Sequence, residues 1–110
     1  MHKNSQSEAI TFLSNRKNLP GHKTVETIQT HGALIFLSGA FAYKIKRDVK
    51  YDYLDFSTLR KRHKMLLREL ELNAPTAPSI YRDVIAVTRN PSGQLQLGGH
   101  GDVVEWVLRM

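Results

Sequence analysis

The sequence contains no cysteine, which removes disulfides and thiolate metal ligands and fits a reducing, cytoplasmic setting. No apolar run approaches the roughly 18 residues that a membrane-crossing helix needs, so no membrane association is expected. The start, Met1-His2-Lys3-Asn4-Ser5-Gln6-Ser7, leads into a short amphipathic stretch and lacks the apolar region of a signal peptide. The five histidines show no metal spacing: His22, His31, His63 and His100 fall on separate elements, and His2 lies in a flexible start. No serine stands in a nucleophile-elbow motif, and there is neither an internal repeat nor a low-complexity tract. Acidic residues are scarce, 10 against 16 basic ones, leaving a net charge of +6. That balance favours polyanionic partners: nucleotides, nucleic acid, or an acidic remainder of the same protein.

What is present is enough apolar residue, 41% of 110, for the core of one small domain or part of a larger one. Ser5-Gln6-Ser7-Glu8 reads as the cap of a helix over 6–14, broken by Leu19-Pro20-Gly21-His22. Alternation from Val25 to Gln29, the apolar run 33–37 and a return over 41–46 predict a meander of three antiparallel strands. A polar, tyrosine-bearing connection over 47–55 follows. Asp55 or Ser57 then caps a long helix to about Asn73, which Pro75 and Pro78 cannot continue. A strand over 84–88, a turn at Asn90-Pro91-Ser92-Gly93, a strand over 95–97 and a last one over 103–110 complete the pattern. The expected fold class is α+β: an antiparallel sheet of about five strands with one long helix packed against it. Residues 1–23 are read as a helix and linker, and 24–110 as the domain proper. Met110 falls within or just beyond a strand without a terminal signal, so the domain is expected to be truncated there.

Two residues stand out. Strand alternation places Ala42, Lys44 and Lys46 on one face, and a two-residue turn at 38–39 or 39–40 puts Ala33, Ile35 and Leu37 beside them. Small and apolar residues next to a lysine suit an adenine ring with phosphates beyond. On the long helix, with Leu59 at zero and about 100° per residue, Glu69 falls near 280°, inside the apolar arc, while Glu71, Lys64 and Arg68 lie on the wet side. A buried glutamate needs a cation. Lys44 is a suitable partner; a glutamate at the margin of the arc can instead reach solvent or Arg62. The basic helix residues Arg60, Lys61, Arg62, Lys64 and Arg68 lack interleaved aromatics, so nucleic acid is not the expected partner.

These blocks resemble a known family. Val25-x-x-Ile28-x-Thr30-His31, Ile35-Phe36-Leu37-x-Gly39, Ala42-Tyr43-Lys44-Ile45-Lys46-Arg47, Leu54-Asp55-Phe56-Ser57-Thr58-Leu59, Glu69-Leu70-x-Leu72-Asn73, Ala77-Pro78-x-Ile80-Tyr81 and Val107-x-Arg109-Met110 are similar to the start of aminoglycoside phosphotransferase/choline kinase-like proteins. The type resembled is often fused to a C-terminal P-loop ATP-binding domain. The resemblance implies a protein-kinase-like N-lobe that binds ATP, with Lys44 on the α- and β-phosphates and Glu69 orienting it. It favours Lys44 over Lys46 for that role. Gly32 would belong to the phosphate-covering loop, Ile35 and Ala42 would lie against the base, and Trp106 to Met110, with Arg109 and Met110 at the site, would lead into the hinge over which adenine lies. The glycine-poor loop departs from the pattern. The lobe carrying the base and magnesium ligands is missing from these residues, so magnesium is expected only with that lobe and the chain by itself should be inactive. His100-Gly101-Asp102 matches the family's catalytic-loop triplet, but the metal-binding asparagine is replaced by Val107 and the triplet reads as a turn. The partners implied are ATP or another nucleotide and, in a full-length protein, a small-molecule phosphate acceptor. The rival readings are a non-catalytic protein-interaction module and, behind it, a basic nucleic-acid-binding domain, and a truncated lobe is expected to self-associate.

Overall fold

Strand β8, the last in sequence, lies in the middle of the sheet, and its composition explains why. In the computed structural model, which describes residues 5–110, β8 runs Asp102–Arg109 and carries Val103, Val104, Trp106, Val107 and Leu108. A strand covered on both faces needs apolar residues on both. The elements preceding it are α1 (Ser5–Ser14), two single-turn 3-10 helices (Arg16–Asn18 and Pro20–His22), β1 (Val25–Gln29), β2 (Ala33–Ser38), β3 (Phe41–Lys46), β4 (Lys50–Tyr51), β5 (Leu54–Asp55), α2 (Leu59–Asn73), β6 (Asp83–Arg89) and β7 (Leu95–Leu97). Six strands form an antiparallel sheet in the order β1-β2-β3-β8-β6-β7, with β4 and β5 a separate hairpin. The expected residues 1–4, including His2, and the Ser5 side chain as a cap lie outside the described residues.

The α+β class and the three-strand meander are as expected. The turn between β2 and β3 is Gly39-Ala40, with Ile35 opposite Lys44 and Leu37 opposite Ala42, the register that parity required. Three details differ. The sheet has six strands, not about five. The polar connection over 47–55 folds into a hairpin of its own. The cap of α2 is neither Asp55 nor Ser57 but Thr58, whose side chain accepts from the Lys61 N–H at 3.1 Å, a contact worth about 1 kcal/mol. Asp55 is occupied instead by the Ser57 N–H and hydroxyl and by Lys61, which hold its carboxyl well below the usual range.

Each face of the sheet carries a helix. Ala9, Phe12 and Leu13 of α1 and Leu19 beyond it share one core with Leu34, Phe36, Tyr43, Ile45, Val87 and Val107. The opposite parity of β3 and β8 turns toward α2, where His63 stacks on Trp106 with ring centroids 3.6 Å apart and Leu66 is fully buried. Burial holds His63 below its ordinary range. The α1 segment is therefore part of the core and not an appendage.

Candidate functional site

The pleat of β3 sends Lys44 and Lys46 to the same face, and α2 crosses that face with Glu69 pointing in. Lys44 Nζ donates to Glu69 Oε2 at 2.8 Å, and Lys46 Nζ donates to Oε1 at 2.9 Å. The expected pair exists, but it is a triad: Glu69 does not choose between the two lysines. All three side chains are only 12–20% exposed. Burial raises the Glu69 pKa, yet hydrogen bonds and charge from the two lysines outweigh it, and the carboxyl ends below its ordinary value. Two ammonium groups on one carboxylate leave one net positive charge. Half-buried Ile35, Leu37 and Ala42 adjoin it, so the face offers a cation beside an apolar surface.

The other expected residues scatter. Ile35 and Ala42 share the lysine face. Met110 spends its main chain on the sheet: its N–H donates to the Ala42 carbonyl at 2.8 Å, and its carbonyl accepts from the Ala42 N–H at 2.9 Å. Arg109 lies opposite Tyr43, on the other parity, and donates Nε and Nη2 to Asp83 at 2.6 and 2.5 Å. Its guanidinium thus faces away from Lys44. Gly32 is packed: a Cβ there would lie 3.2 Å from Leu54 Cδ2 and from Phe56 Cε2. The β1–β2 turn is also fastened, by Arg47 Nη1 donating to the Thr30 and His31 carbonyls and by His31 stacking with Tyr51 and Tyr53. It is a pinned turn. Gly101 of the His-Gly-Asp triplet is a packing glycine too, because a Cβ would fall 1.8 Å from the Arg89 carbonyl oxygen. Among the described residues no group of three or more His, Asp or Glu could hold a metal ion, and no helix is long and apolar enough to cross a membrane.

Sequence reasoning missed two groups. Arg62, expected on the basic outer face, is 3% exposed and donates through Nε to Glu105 Oε2 at 3.1 Å and through Nη1 to the Phe56 carbonyl at 2.7 Å. Glu105 is fully buried and also accepts from Gln6 Nε2 at 2.8 Å and the Trp106 N–H at 3.0 Å. Burial raises its pKa, and Arg62, Gln6 and the Trp106 N–H counter only part of that. The signal was on the helical wheel: Arg62 falls near 300°, between Glu69 and Leu66. The second group is the His31, Tyr51 and Tyr53 stack, which the tyrosines of the 47–55 connection hinted at.

No protein-family model matches the chain, and no solved structure matches it. It is similar to uncharacterized proteins of Mycobacterium tuberculosis and Mycobacterium bovis, 36% identical over 80 residues. Those residues are 73% of this chain but 15% of each relative, so the chain spans a small part of the length of the relatives it matches.

Proposed function

We propose that this chain is the nucleotide-binding lobe of an aminoglycoside-phosphotransferase-like small-molecule kinase, in which Lys44 contacts the phosphates of ATP. The observation that carries the reading is the Lys44–Glu69 ion pair at 2.8 Å, joining the third strand to the inner face of the following helix. Kinase-type sites hold nucleotide phosphates with that arrangement, a strand lysine fixed by a helix glutamate. The local residues fit the group in part. Lys44 retains some exposure, the triad has one unit of positive charge to offer a polyphosphate, and Ile35, Leu37 and Ala42 supply the apolar surface a base requires. Bound ATP would supply the transferable phosphoryl group; the present residues would only bind and orient it. The pinned turn around Gly32 gives this lobe a rigid roof, and the base would contact the strand face and not the Met110 main chain.

The second lysine makes the reading testable. In Lys44→Met, Glu69 keeps Lys46 as its partner, so the fold retains a compensated carboxylate. In Lys46→Met, Lys44 and Glu69 remain as a pair. Isothermal titration of the chain with ATP should show Lys44→Met weakened by about tenfold or more, the loss of one charge-assisted hydrogen bond. Lys46→Met should stay within about threefold of the parent. Equal effects of the two substitutions, or no binding at millimolar ATP, would discard the phosphate role. The apolar side chains left open near the end of α2, Leu72 at 61% and Ile80 at 54% exposed, would then point to a docking lobe instead.

A further inference from the structure

The face of the sheet opposite Lys44 carries a cleft of about 460 Å³, between the two 3-10 turns and the β6–β7–β8 end of the sheet. That volume lies within the range of small-molecule sites. Its lining combines two chemistries. Half-buried Ile85, Leu95 and Leu97 pack on the core and leave apolar surface to the cleft, joined by Phe12 and Leu19. Lys17, His22 and Arg109 supply hydrogen-bond donors. Neither the Lys17 ammonium nor the His22 ring bonds to any described residue. Arg109 uses Nε and Nη2 on Asp83, which neutralises it and leaves Nη1 without a partner. The unpaired charge in the cleft is therefore that of Lys17.

The backbone adds an independent sign. Gly21 and His22 are consecutive left-handed residues, with φ of 84° and 51°. Histidine is the one non-glycine residue among those described with positive φ. Such a conformation is strained for a residue with a Cβ, and strain of this kind gathers where a side chain must be aimed. A glycine at 22 would serve the turn better. The histidine is explained if its ring is needed where the turn places it, at the cleft.

We propose that this cleft binds an amphipathic carboxylate: a hydrocarbon tail on Ile85, Leu95 and Leu97, and an anionic head on Lys17, His22 and the free edge of Arg109. The site is separate from the nucleotide face and does not depend on it. Octanoate is the probe, with octan-1-ol as its uncharged counterpart, followed by methyl NMR of Ile85, Leu95 and Leu97. Octanoate should shift those methyl signals saturably, and octan-1-ol should bind at least about fivefold more weakly, the worth of one charge-assisted contact near the surface. His22→Gly should raise the urea midpoint by relieving the left-handed strain while weakening octanoate at least about threefold. Lys17→Ala should weaken octanoate and leave the midpoint unchanged, and Lys44→Met, on the other face of the sheet, should leave the octanoate affinity as it is in the parent. Equal binding of the alcohol and the acid would overturn the proposal, as would octanoate affinity unmoved by His22→Gly, shifts confined to the Lys44 face, or no saturation by about 10 mM.

Discussion

Arg62 and Glu105 are the residues whose burial demands most from the rest of the chain. A guanidinium and a carboxylate taken out of water are tolerated only when each remaining polar atom is matched. Here Gln6, the Phe56 carbonyl and the Trp106 N–H, together with the Asp48 carboxylate 3.6 Å from Arg62 Nη1, complete the set, and no described buried side-chain polar atom lacks a partner. Arg62→Met strands the Glu105 carboxylate and should cost about 3–5 kcal/mol in urea unfolding. Adding Glu105→Gln should restore about half or more, because the amide still offers an oxygen while removing the charge. A sign follows for pH. Glu105 already has a folded pKa above its unfolded value, so stability is greatest below the unfolded value and falls as pH rises through the folded one. Arg62→Met raises that folded value further. Its deficit against the parent should therefore be smaller at pH 5 than at pH 8; a deficit independent of pH would show that lost packing, not stranded charge, is the cause.

At the scale of elements, α2 is the piece that turns sequence pattern into a site. Its wheel placed Glu69 inward and its strand neighbours supplied the cations, so Lys44, Glu69 and the register of β2 and β3 were legible from local periodicity. Lys46 was not separable from Lys44 by parity, and the structure uses both. Arg62 was read as a surface cation because a charged residue in an apolar arc is credible only with its partner in view, and that partner is 43 positions downstream. The hairpin over 50–55 escaped for a different reason: two-residue strands have no periodicity to read, and the fold shows them through the stacking of Tyr51 and Tyr53 on His31. Glu69 offers the test at this scale. Its folded pKa is lowered below the ordinary 4.5, so it contributes stability above that value and loses it as pH falls through the folded one. Glu69→Gln should lower stability at pH 7 by on the order of 1–3 kcal/mol, by leaving two half-buried ammonium groups without an anion. The gap to the parent should narrow in acid. Urea midpoints at pH 7 and pH 3 would measure both numbers, and a gap of equal size at the two would refute the linkage.

For the whole molecule the question is whether residues 24–110 constitute a folding unit, as the break at Leu19-Pro20-Gly21-His22 suggested. The core indicates otherwise. Leu13 is fully buried, Phe12 nearly so, and both belong to the same cluster as Tyr43, Ile45 and Val107 at the centre of the sheet. Each such side chain contributes about 1.5–3 kcal/mol on burial. Gln6 adds a polar tie: it donates to Glu105 and to the Lys46 carbonyl and accepts from the Asp48 N–H, so α1 closes the network that makes the buried Arg62–Glu105 pair tolerable. Removing α1 would expose the apolar face of β2, β3 and β8 and take the Gln6 donor from the Glu105 carboxylate. Against a net stability of about 5–15 kcal/mol for a domain of this size, those losses consume most or all of the margin. A chain of residues 24–110 should therefore lose the sigmoidal urea transition of the parent and show the Trp106 emission of a solvated indole, because the His63 stack depends on the sheet remaining assembled. A cooperative transition with native Trp106 emission in that shorter chain would establish that the sheet and α2 fold without α1, and that the buried network can be completed by water.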